Sequence, residues 1–286
     1  MRKLLRWLGI GLGGLVGLLL VAAIVIFAIS EVVLRKSYAA AAEPLPKPSA
    51  ALLADAPRQA RILGCLSCHG EGLIGKMMFD APPVARVLAP NLTHIAARVT
   101  DQRLAAAIRQ GIGHDGRPLF IMPSPMYSRM SDQETAALIA WMRGLPKAGE
   151  PSDPLRFGPL GRIGLATGSF EPAPAAVERF RAQSPIDLGA QHSAGRRLAA
   201  NTCAECHGPA LFGQEMPEGS KPPDLNVVAG YNLEQFRTLL RTGNTPGGNK
   251  LGLMAEVSRN DFRHFNDAEI DALYAYLTAR AKKLGS

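Results

Sequence analysis

The sequence predicts an all-α protein in which an N-terminal transmembrane helix precedes two similar helical domains in tandem. Residues 7–30 form an uncharged, apolar run, and the rest of the chain contains two copies of one series of short motifs. Each copy ends in a segment whose apolar residues recur at helical spacing. We therefore divide the 286 residues into a cytoplasmic N-terminus, transmembrane anchor and tether (1–51), a first domain (52–147), a Pro/Gly-rich linker (148–187) and a second domain (188–286).

The N-terminal segment has the composition of a membrane anchor. Three basic residues precede the run from Trp7 to Ser30, which is longer than the apolar core of a cleavable signal peptide and long enough to cross the hydrocarbon layer. These basic residues favour a cytoplasmic N-terminus, although Arg35, Lys36 and Lys47 after the run weaken the charge bias. Cleavage is the alternative, because the following "SYAAAAE" contains small residues that a signal peptidase accepts.

All four cysteines lie in two copies of Cys-x-x-Cys-His. Two thiols about one helical turn apart can form thioether bonds to the two vinyl groups of a haem, and the histidine that follows can bind the iron as the proximal ligand. The motifs therefore predict two covalently bound haem c groups. The residues concerned are Cys65, Cys68 and His69 in the first copy and Cys203, Cys206 and His207 in the second.

Other uses of these cysteines explain the pattern less well. A zinc site usually has four ligands, and each motif is one short, while a joint four-cysteine site would leave both histidines unexplained. A redox-active Cys-x-x-Cys needs a surrounding βαβ pattern, which the sequence lacks. Structural disulfides would not require a histidine after each pair.

The two copies stay in register well beyond the cysteines, which identifies an internal repeat. Each continues with Pro-Asn-Leu or Pro-Asp-Leu, a helical stretch ending in Arg-x-Gly, a methionine 11 residues after that glycine, and an acidic helix start with an aromatic residue nine positions after its aspartate. The second copy has three inserted residues between Met254 and Asp267. The matched pairs are Pro90 and Pro223, Gly111 and Gly243, Met122 and Met254, Asp132 and Asp267, and Trp141 and Tyr276.

Each matched position has a plausible task beside a haem. A ligating histidine needs an acceptor for its Nδ1–H, which the carbonyl of Pro90 or Pro223 can supply. The glycine ends a helix, and the loop beyond it lets Met122 or Met254 reach the far side of the iron. We therefore predict His69 and Met122 as ligands of one iron, and His207 and Met254 as ligands of the other. Rival ligands are Met126, Met130, Met216 and His264.

The order of these motifs resembles class I cytochrome c, present here twice in tandem, over residues 52–147 and 188–286. The resemblance implies small helical domains wrapped around haems with His/Met ligation. More narrowly, "APNLT" and the "MPSPMY" loop before "MSDQE" resemble the membrane-bound multihaem cytochrome subunits of bacterial alcohol and gluconate dehydrogenases. Those subunits carry three haems whereas this chain has motifs for two, and the second repeat has Asp224 where the first has Asn91.

The resemblance also implies a location and a task. Attachment of haem c on the outer side of the bacterial inner membrane implies a single-pass protein with its C-terminal domains in the periplasm. We expect a non-enzymatic carrier that relays single electrons from a dehydrogenase or quinol-oxidising partner to an oxidase or soluble cytochrome. The alternatives are a dihaem redox enzyme, such as a peroxidase or thiosulfate-oxidising cytochrome, and a membrane-tethered haem sensor or assembly factor.

The charge distribution argues against a nucleic-acid partner. The net charge of +8 arises entirely within residues 1–147, but the basic residues there are dispersed and no run of them alternates with aromatic residues. This basic part is either a docking face for an acidic protein or an ordinary solvated surface. The linker is rich in proline and glycine, so we expect no long regular structure before Ala175 and a path across both domains.

Overall fold

The computed structural model describes residues 1–152, 155–216, 219–248 and 251–285. Helices dominate this part of the chain, which confirms the all-α prediction. An N-terminal helix is followed by two helical units, which we call the first unit (residues 50–144) and the second unit (residues 190–284). A small sheet and two linker helices were not expected.

The first helix, α1, spans Arg2–Arg35 and is long and apolar enough to cross a membrane. At 1.5 Å per residue it is about 51 Å long. Its large apolar side chains from Leu4 to Val32 are exposed, and Ser30 near its end is fully buried. This helix includes the whole of the predicted span.

In the first unit, the first and last long helices cross and enclose the core. The first helix of this unit begins after Ser49, whose side chain accepts a hydrogen bond from the Leu52 N–H. The last helix begins with a complete capping box, in which Ser131 and Glu134 each accept a bond from the other's backbone N–H. The helices are α2 (Ala50–Ile62), α3 (Cys65–His69), α4 (Leu92–Ala96), α5 (Asp101–Gln110), α6 (Ser124–Tyr127) and α7 (Asp132–Gly144), with a 3-10 turn at Glu71–Leu73.

A three-stranded antiparallel sheet lies between α3 and α4. Strands β1 (Lys76–Ala81) and β2 (Ala85–Ala89) form a hairpin, and β3 (Arg156–Phe157) comes from the linker and pairs with β2. Both exposed prolines of the turn, Pro82 and Pro83, lie outside the ladder, where their missing N–H groups cost no strand hydrogen bond.

The second unit repeats the crossing of first and last helices. The side chain of Asn266 caps the last helix and forms a capping box with Glu269. At the crossing, Gly195 lies so close to this helix that an added Cβ would be 2.0 Å from the Ala272 carbonyl oxygen. The helices are α10 (Ser193–Thr202), α11 (Ala204–His207), α12 (Leu233–Thr242), α13 (Leu253–Asn260) and α14 (Asp267–Leu284), with 3-10 turns at Ala190–His192, Leu225–Gly230 and Phe262–His264.

The linker contains more regular structure than its composition predicts. Helix α8 (Pro159–Thr167) lies before Ala175, in the region expected to lack long regular structure, and α9 (Ala173–Ala182) follows it. Proline at the start of α8 and the left-handed Gly168 at its end are helix start and stop signals, so the same residues that disfavour long helices bound a short one. Helix α9 packs on α5 and α6, and its Phe180 joins the core cluster of the second unit.

The segment between α1 and α2 lies along the first unit. The Tyr38 N–H donates to the Gly116 carbonyl at 2.9 Å, and Ala41 exchanges two hydrogen bonds of 2.9 Å with the Gln110 side chain. Glu43 is buried and lies 3.0 Å from Arg109. These contacts hold the first unit directly beside the end of α1.

The two units contact each other reciprocally through the start of each last helix. Glu269 of the second unit binds Arg58 of α2 at 2.7 Å, and Glu134 of the first unit binds Arg197 of α10. The two glutamates occupy the same position in their capping boxes. The interface therefore uses equivalent surfaces of the two repeats.

Candidate functional site

His69 lies at the end of α3 and is 8% exposed. Its Nδ1 lies 2.8 Å from the carbonyl oxygen of Pro90. Because a carbonyl only accepts, Nδ1 must carry the proton, which leaves the Nε2 lone pair free to bind a metal. Burial lowers the pKa of the imidazole, against the opposing effect of the Pro90 hydrogen bond, and therefore favours this neutral form.

An apolar cavity of about 310 Å³ lies beside His69. Cys65 and Cys68 line it together with His69, so both thiols and the imidazole border one space. Met122 and Trp141 line the same cavity, and Met122 is half-buried. A flat, largely apolar macrocycle with two vinyl groups fits such walls, so the residues present fit a haem.

The second unit places the equivalent residues in the same way. His207 ends α11, and its Nδ1 lies 2.7 Å from the carbonyl oxygen of Pro223. Burial lowers the pKa of this imidazole too, although the Pro223 hydrogen bond opposes the shift. Cys203 and Met254 are half-buried and pack against the core cluster of the unit. The arrangement therefore also fits a haem.

The surroundings of the cysteines bear on the zinc alternative. Within the described residues, no group of three or more His, Cys, Asp or Glu side chains is arranged to hold a metal ion, which disfavours that alternative. Burial raises the pKa of Cys65 to about 12 and that of Cys203 to about 11.

Two leucines with left-handed backbone are site residues that the sequence analysis missed. Leu73 has φ of 58° and Leu211 has φ of 66°, and each lies four residues after its histidine and is almost fully buried. A left-handed leucine costs about 1–2 kcal/mol, which the surrounding contacts must offset. In both units the loop closes back on the histidine, because the N–H groups of Gly75 and Gly213 donate to the carbonyls of His69 and His207 at 2.8 Å. The matched Gly-x-x-Leu-x-Gly in both repeats could have revealed this loop.

The sequence analysis also missed an ion pair that occurs in both units and supports the methionine loop. Arg109 binds Asp132 at 2.6 Å, and Arg241 binds Asp267 in the other unit. Each arginine precedes by two residues the left-handed glycine that ends α5 or α12. The pair joins the start of the methionine loop to the start of the last helix, so the two ends of the loop are fixed.

The Asn91 and Asp224 difference between the repeats has a clear structural consequence. Both side chains accept a hydrogen bond from the N–H two residues later, at 3.0 Å from Thr93 and 2.8 Å from Asn226. Asp224 also binds Arg280, which is fully buried, at 2.7 Å. The Asn91 amide instead donates to two linker carbonyls, those of Ala148 at 2.7 Å and Glu150 at 3.1 Å.

The rival iron ligands occupy different surroundings. Met126 and Met130 are almost fully buried in the core cluster of the first unit, although Met130 also lines the cavity. Met216 is half-buried, and its sulfur accepts a contact of 3.6 Å from Gln214. The carbonyl of His264 accepts a hydrogen bond of 3.0 Å from Arg58, so this residue lies at the interface with the first unit.

Both Cys-x-x-Cys-His helices lie close to the interface between the units. Ser67, between the two cysteines of α3, donates a hydrogen bond to Asp261 of the second unit. On the other side of the interface, α11 contacts α6, the helix that follows the methionine loop of the first unit. We call α3 and α11, which carry the Cys-x-x-Cys-His motifs, the attachment helices. Each attachment helix therefore packs against the segment that follows the methionine of the other repeat.

Comparison with known proteins agrees with this geometry. The chain matches the family described as "Cytochrome c" at residues 54–146 and again at residues 192–280. It is 26% identical over 255 residues to the "Fructose dehydrogenase cytochrome subunit" of Gluconobacter japonicus, covering 78% of this chain and 51% of that protein. The chain thus spans about half the length of that relative. A match to "Signal-induced proliferation-associated 1-like protein 3" of Mus musculus, 33% identical over 96 residues, covers 33% of this chain and 5% of that protein, so it supports no functional argument.

The two matched segments together cover more than half of the chain, and each contains one Cys-x-x-Cys-His motif. The predictions of tandem cytochrome c domains, of two covalently bound haem c groups and of an electron-transfer function are confirmed, and so is the likeness to a dehydrogenase cytochrome subunit. The chain belongs to the cytochrome c family and contains two cytochrome c domains in tandem.

Proposed function

We propose that this protein is a membrane-anchored relay that accepts single electrons from one protein partner and passes them to another. The observation that carries the proposal is the matched histidine geometry: in both units the imidazole Nδ1 bonds a proline carbonyl, which directs Nε2 towards the haem side. When bound, haem c supplies a one-electron couple at its iron. The protein's part is to hold the axial ligands, exclude water and fix the distance between the two sites.

The ligand sets that we propose are His69 with Met122 and His207 with Met254. Support comes from the first unit, where His69 and Met122 border one cavity, and from the equivalent position of Met254 in the second. His69 with Met122, and His207 with Met254, would hold the two irons, and two protein ligands at each iron would leave no position for a substrate. A neutral thioether together with a neutral imidazole would also favour the reduced iron, which suits a carrier.

A relay needs two sites close enough for direct transfer. Support comes from the interface, where Ser67 beside the first attachment site bonds Asp261 and the second attachment helix contacts α6. The reciprocal ion pairs of Glu134 and Glu269 hold the units in one arrangement. We infer that electrons pass between the two sites within one chain.

We further propose the domain limits of the sequence analysis, a retained α1 as a single-pass anchor, and a periplasmic position of both haem domains at the bacterial inner membrane. The length and composition of α1 support the anchor. The similarity to a fructose dehydrogenase cytochrome subunit supports a dehydrogenase as the electron donor. A quinol-oxidising complex is the other donor that we consider, and an oxidase or soluble cytochrome is the proposed acceptor.

The ligand assignment is tested by changing each methionine in the holo protein. We expect the Met122→Ala and Met254→Ala variants each to lose about half of the weak methionine-to-iron absorption band near the red edge of the spectrum, and the double variant to lose all of it. Met78→Ala, which also changes the lining of the first cavity, and Met216→Ala are the matched controls and should keep the band. Full retention of the band in either ligand variant would contradict the assignment for that iron.

The relay is tested separately by affinity purification of the solubilised full-length chain. We expect a dehydrogenase or quinol-oxidising enzyme to co-purify, and its substrate to reduce both haems of the wild type. Isolated protein that consumes peroxide or thiosulfate at an open iron would instead support the enzyme alternative.

A further inference from the structure

We propose that helix α8 of the linker lies in the membrane interface beside α1 and contacts lipid, so that two helices rather than one fix the first unit on the bilayer. This inference rests on the proposed role of α1 as an anchor. It concerns a surface that electron transfer does not use, and it names a lipid bilayer as the partner.

Helix α8 is docked on the last turns of α1. The guanidinium of Arg162 bonds the Ser30 hydroxyl and the Glu31 carboxylate, each at 2.8 Å, and lies 4.3 Å from the centre of the Phe27 ring. Ser30 is fully buried by this contact although most of α1 is exposed. The two helices therefore meet at the point where the apolar run of α1 ends.

The outer face of α8 carries no charge. Arg162 is the only charged residue of the helix, and it is bonded to α1 through Glu31, which also pairs with Arg35. Leu160 and Ile163 are 56% and 41% exposed, and they share this face with the exposed Pro159 and Thr167. A helix that exposes large apolar residues without one free charge is unusual on a surface that faces water, and typical of one that contacts lipid.

The position of α8 is fixed by the first unit. The N–H groups of Gly158 and Leu160 donate to the carbonyls of Val84 at 2.9 Å and Pro83 at 2.7 Å, in the turn of the hairpin. Gly161 lies so close to this turn that an added Cβ would be 2.1 Å from the Val84 carbonyl oxygen. Helix α8 therefore cannot move independently, and where it lies in the membrane sets the orientation of the first unit.

The neighbouring surface indicates lipid rather than another protein as the occupant. Helix α8 packs against α1, whose Ile24 and Phe27 near the contact are 67% and 53% exposed. A bilayer that surrounds α1 up to its contact with Arg162 would reach α8 at the same depth.

The test uses the full-length holo chain in phospholipid nanodiscs, with the four native cysteines bonded to haem. A nitroxide label is attached to a single new cysteine, and its collisions with oxygen, which concentrates in lipid, are compared with those of a water-soluble nickel complex. The test variant is Ile163→Cys. Leu18→Cys in the middle of α1 reports the anchor, and Leu284→Cys, a residue of α14 with a similar exposure of 39%, is the aqueous control.

We expect the ratio of oxygen to nickel collisions at positions 163 and 18 to exceed that at position 284 several-fold, with the haem absorption spectrum unchanged. A ratio at 163 equal to that at 284, with 18 still in lipid, would overturn the α8 proposal and leave the anchor intact. Low collision rates with both reagents at 163 would also overturn it, because protein would then cover α8. If position 18 is accessible to the nickel complex, the proposed anchor fails as well. Leu160→Cys replaces the test variant should Ile163→Cys not fold.

Discussion

The two cytochrome c units complete the same fold by different means. In the first unit, the linker supplies the carbonyls that bind Asn91, and Ala173 of α9 covers Gly111 so closely that an added Cβ would lie 2.5 Å from its Cβ. In the second unit, the equivalent contacts come from within the unit, because Arg280 binds Asp224 and Ala255 of α13 covers Gly243. The three residues inserted after Met254 therefore occur where α13 covers Gly243, the role that the linker helix α9 has at Gly111 in the first unit.

This difference shows that the same haem-binding motifs can be held in place either by the linker or by residues of the same unit. The first unit takes the support of Asn91 and Gly111 from the linker, whereas the second takes the equivalent support of Asp224 and Gly243 from within itself, although Phe180 of α9 also joins its core cluster. A chain cut at the end of α7 would therefore separate the first unit from linker contacts that it needs.

The largest effect is expected from breaking the internal support of the second unit. Arg280→Met removes the partner of Asp224 and leaves a carboxylate beside a fully buried site, which should lower the free energy of unfolding by about 3–5 kcal/mol. Denaturant unfolding of the holo protein, followed by circular dichroism and by haem absorbance, measures this loss.

The double variant Arg280→Met/Asp224→Asn sharpens the comparison, because it gives the second unit the asparagine that the first unit carries. We expect it to recover at least half of the lost stability, since the half-exposed carboxylate that had lost its partner is then absent. The matched change in the first unit, Asn91→Ala, loses only neutral hydrogen bonds, those to the linker and those from Thr93, and should cost about 1–2 kcal/mol. Equal losses for Arg280→Met and Asn91→Ala would contradict the proposed difference.

Much of this architecture could be predicted from the sequence because each motif occurs twice, so that one repeat can be checked against the other. The glycine of each Arg-x-Gly motif, Gly111 or Gly243, predicts the end of α5 or α12, and both glycines have the left-handed backbone expected there. Likewise, the capping box at Ser131 is confirmed. These features depend on residues that are close together along the chain, so the sequence alone is enough to predict them.

The third strand of the sheet and α8 could not be predicted in this way, because each depends on distant partners. Strand β2 is completed by β3, about 70 residues later, and α8 is held by Val84 and by Arg162 bonded to α1. The contact between Arg280 and Asp224 likewise joins residues 56 positions apart. An isolated arginine in a helical pattern gives no sign that it will be buried.

The next effect tests a feature that the two units share. Leu73→Ala and Leu211→Ala should each cost about 3 kcal/mol, because both leucines are almost fully buried. The glycine variants should be more stable than the alanine variants by about 1 kcal/mol, since glycine adopts the left-handed backbone without strain. This reverses the usual order of alanine and glycine. Thermal unfolding of the four variants measures the order, and a normal order in either unit would show that its leucine is not strained.

The smallest effect concerns the interface, where the arginine partners of the two equivalent glutamates differ in burial. Glu269→Gln keeps the capping-box hydrogen bond but removes the charge that binds Arg58, and should cost about 1 kcal/mol at neutral pH. Glu134→Gln should cost less, because its partner Arg197 is 45% exposed whereas Arg58 is 29% exposed. The comparison fails if Glu134→Gln costs as much as Glu269→Gln.

The pH dependence of this loss has a definite sign. Burial raises the pKa of Glu269, but hydrogen bonds from Arg58 and from the Asn266 N–H outweigh it, so the net pKa lies below the ordinary value of 4.5. A carboxylate with a lowered pKa stabilises the folded state above its unfolded-state pKa and loses that contribution as the pH falls through the folded-state value. The difference in unfolding free energy between wild type and Glu269→Gln should therefore be constant near pH 7 and shrink below about pH 4.5. A difference that persists undiminished in acid would show that Glu269 contributes through packing rather than through its charge.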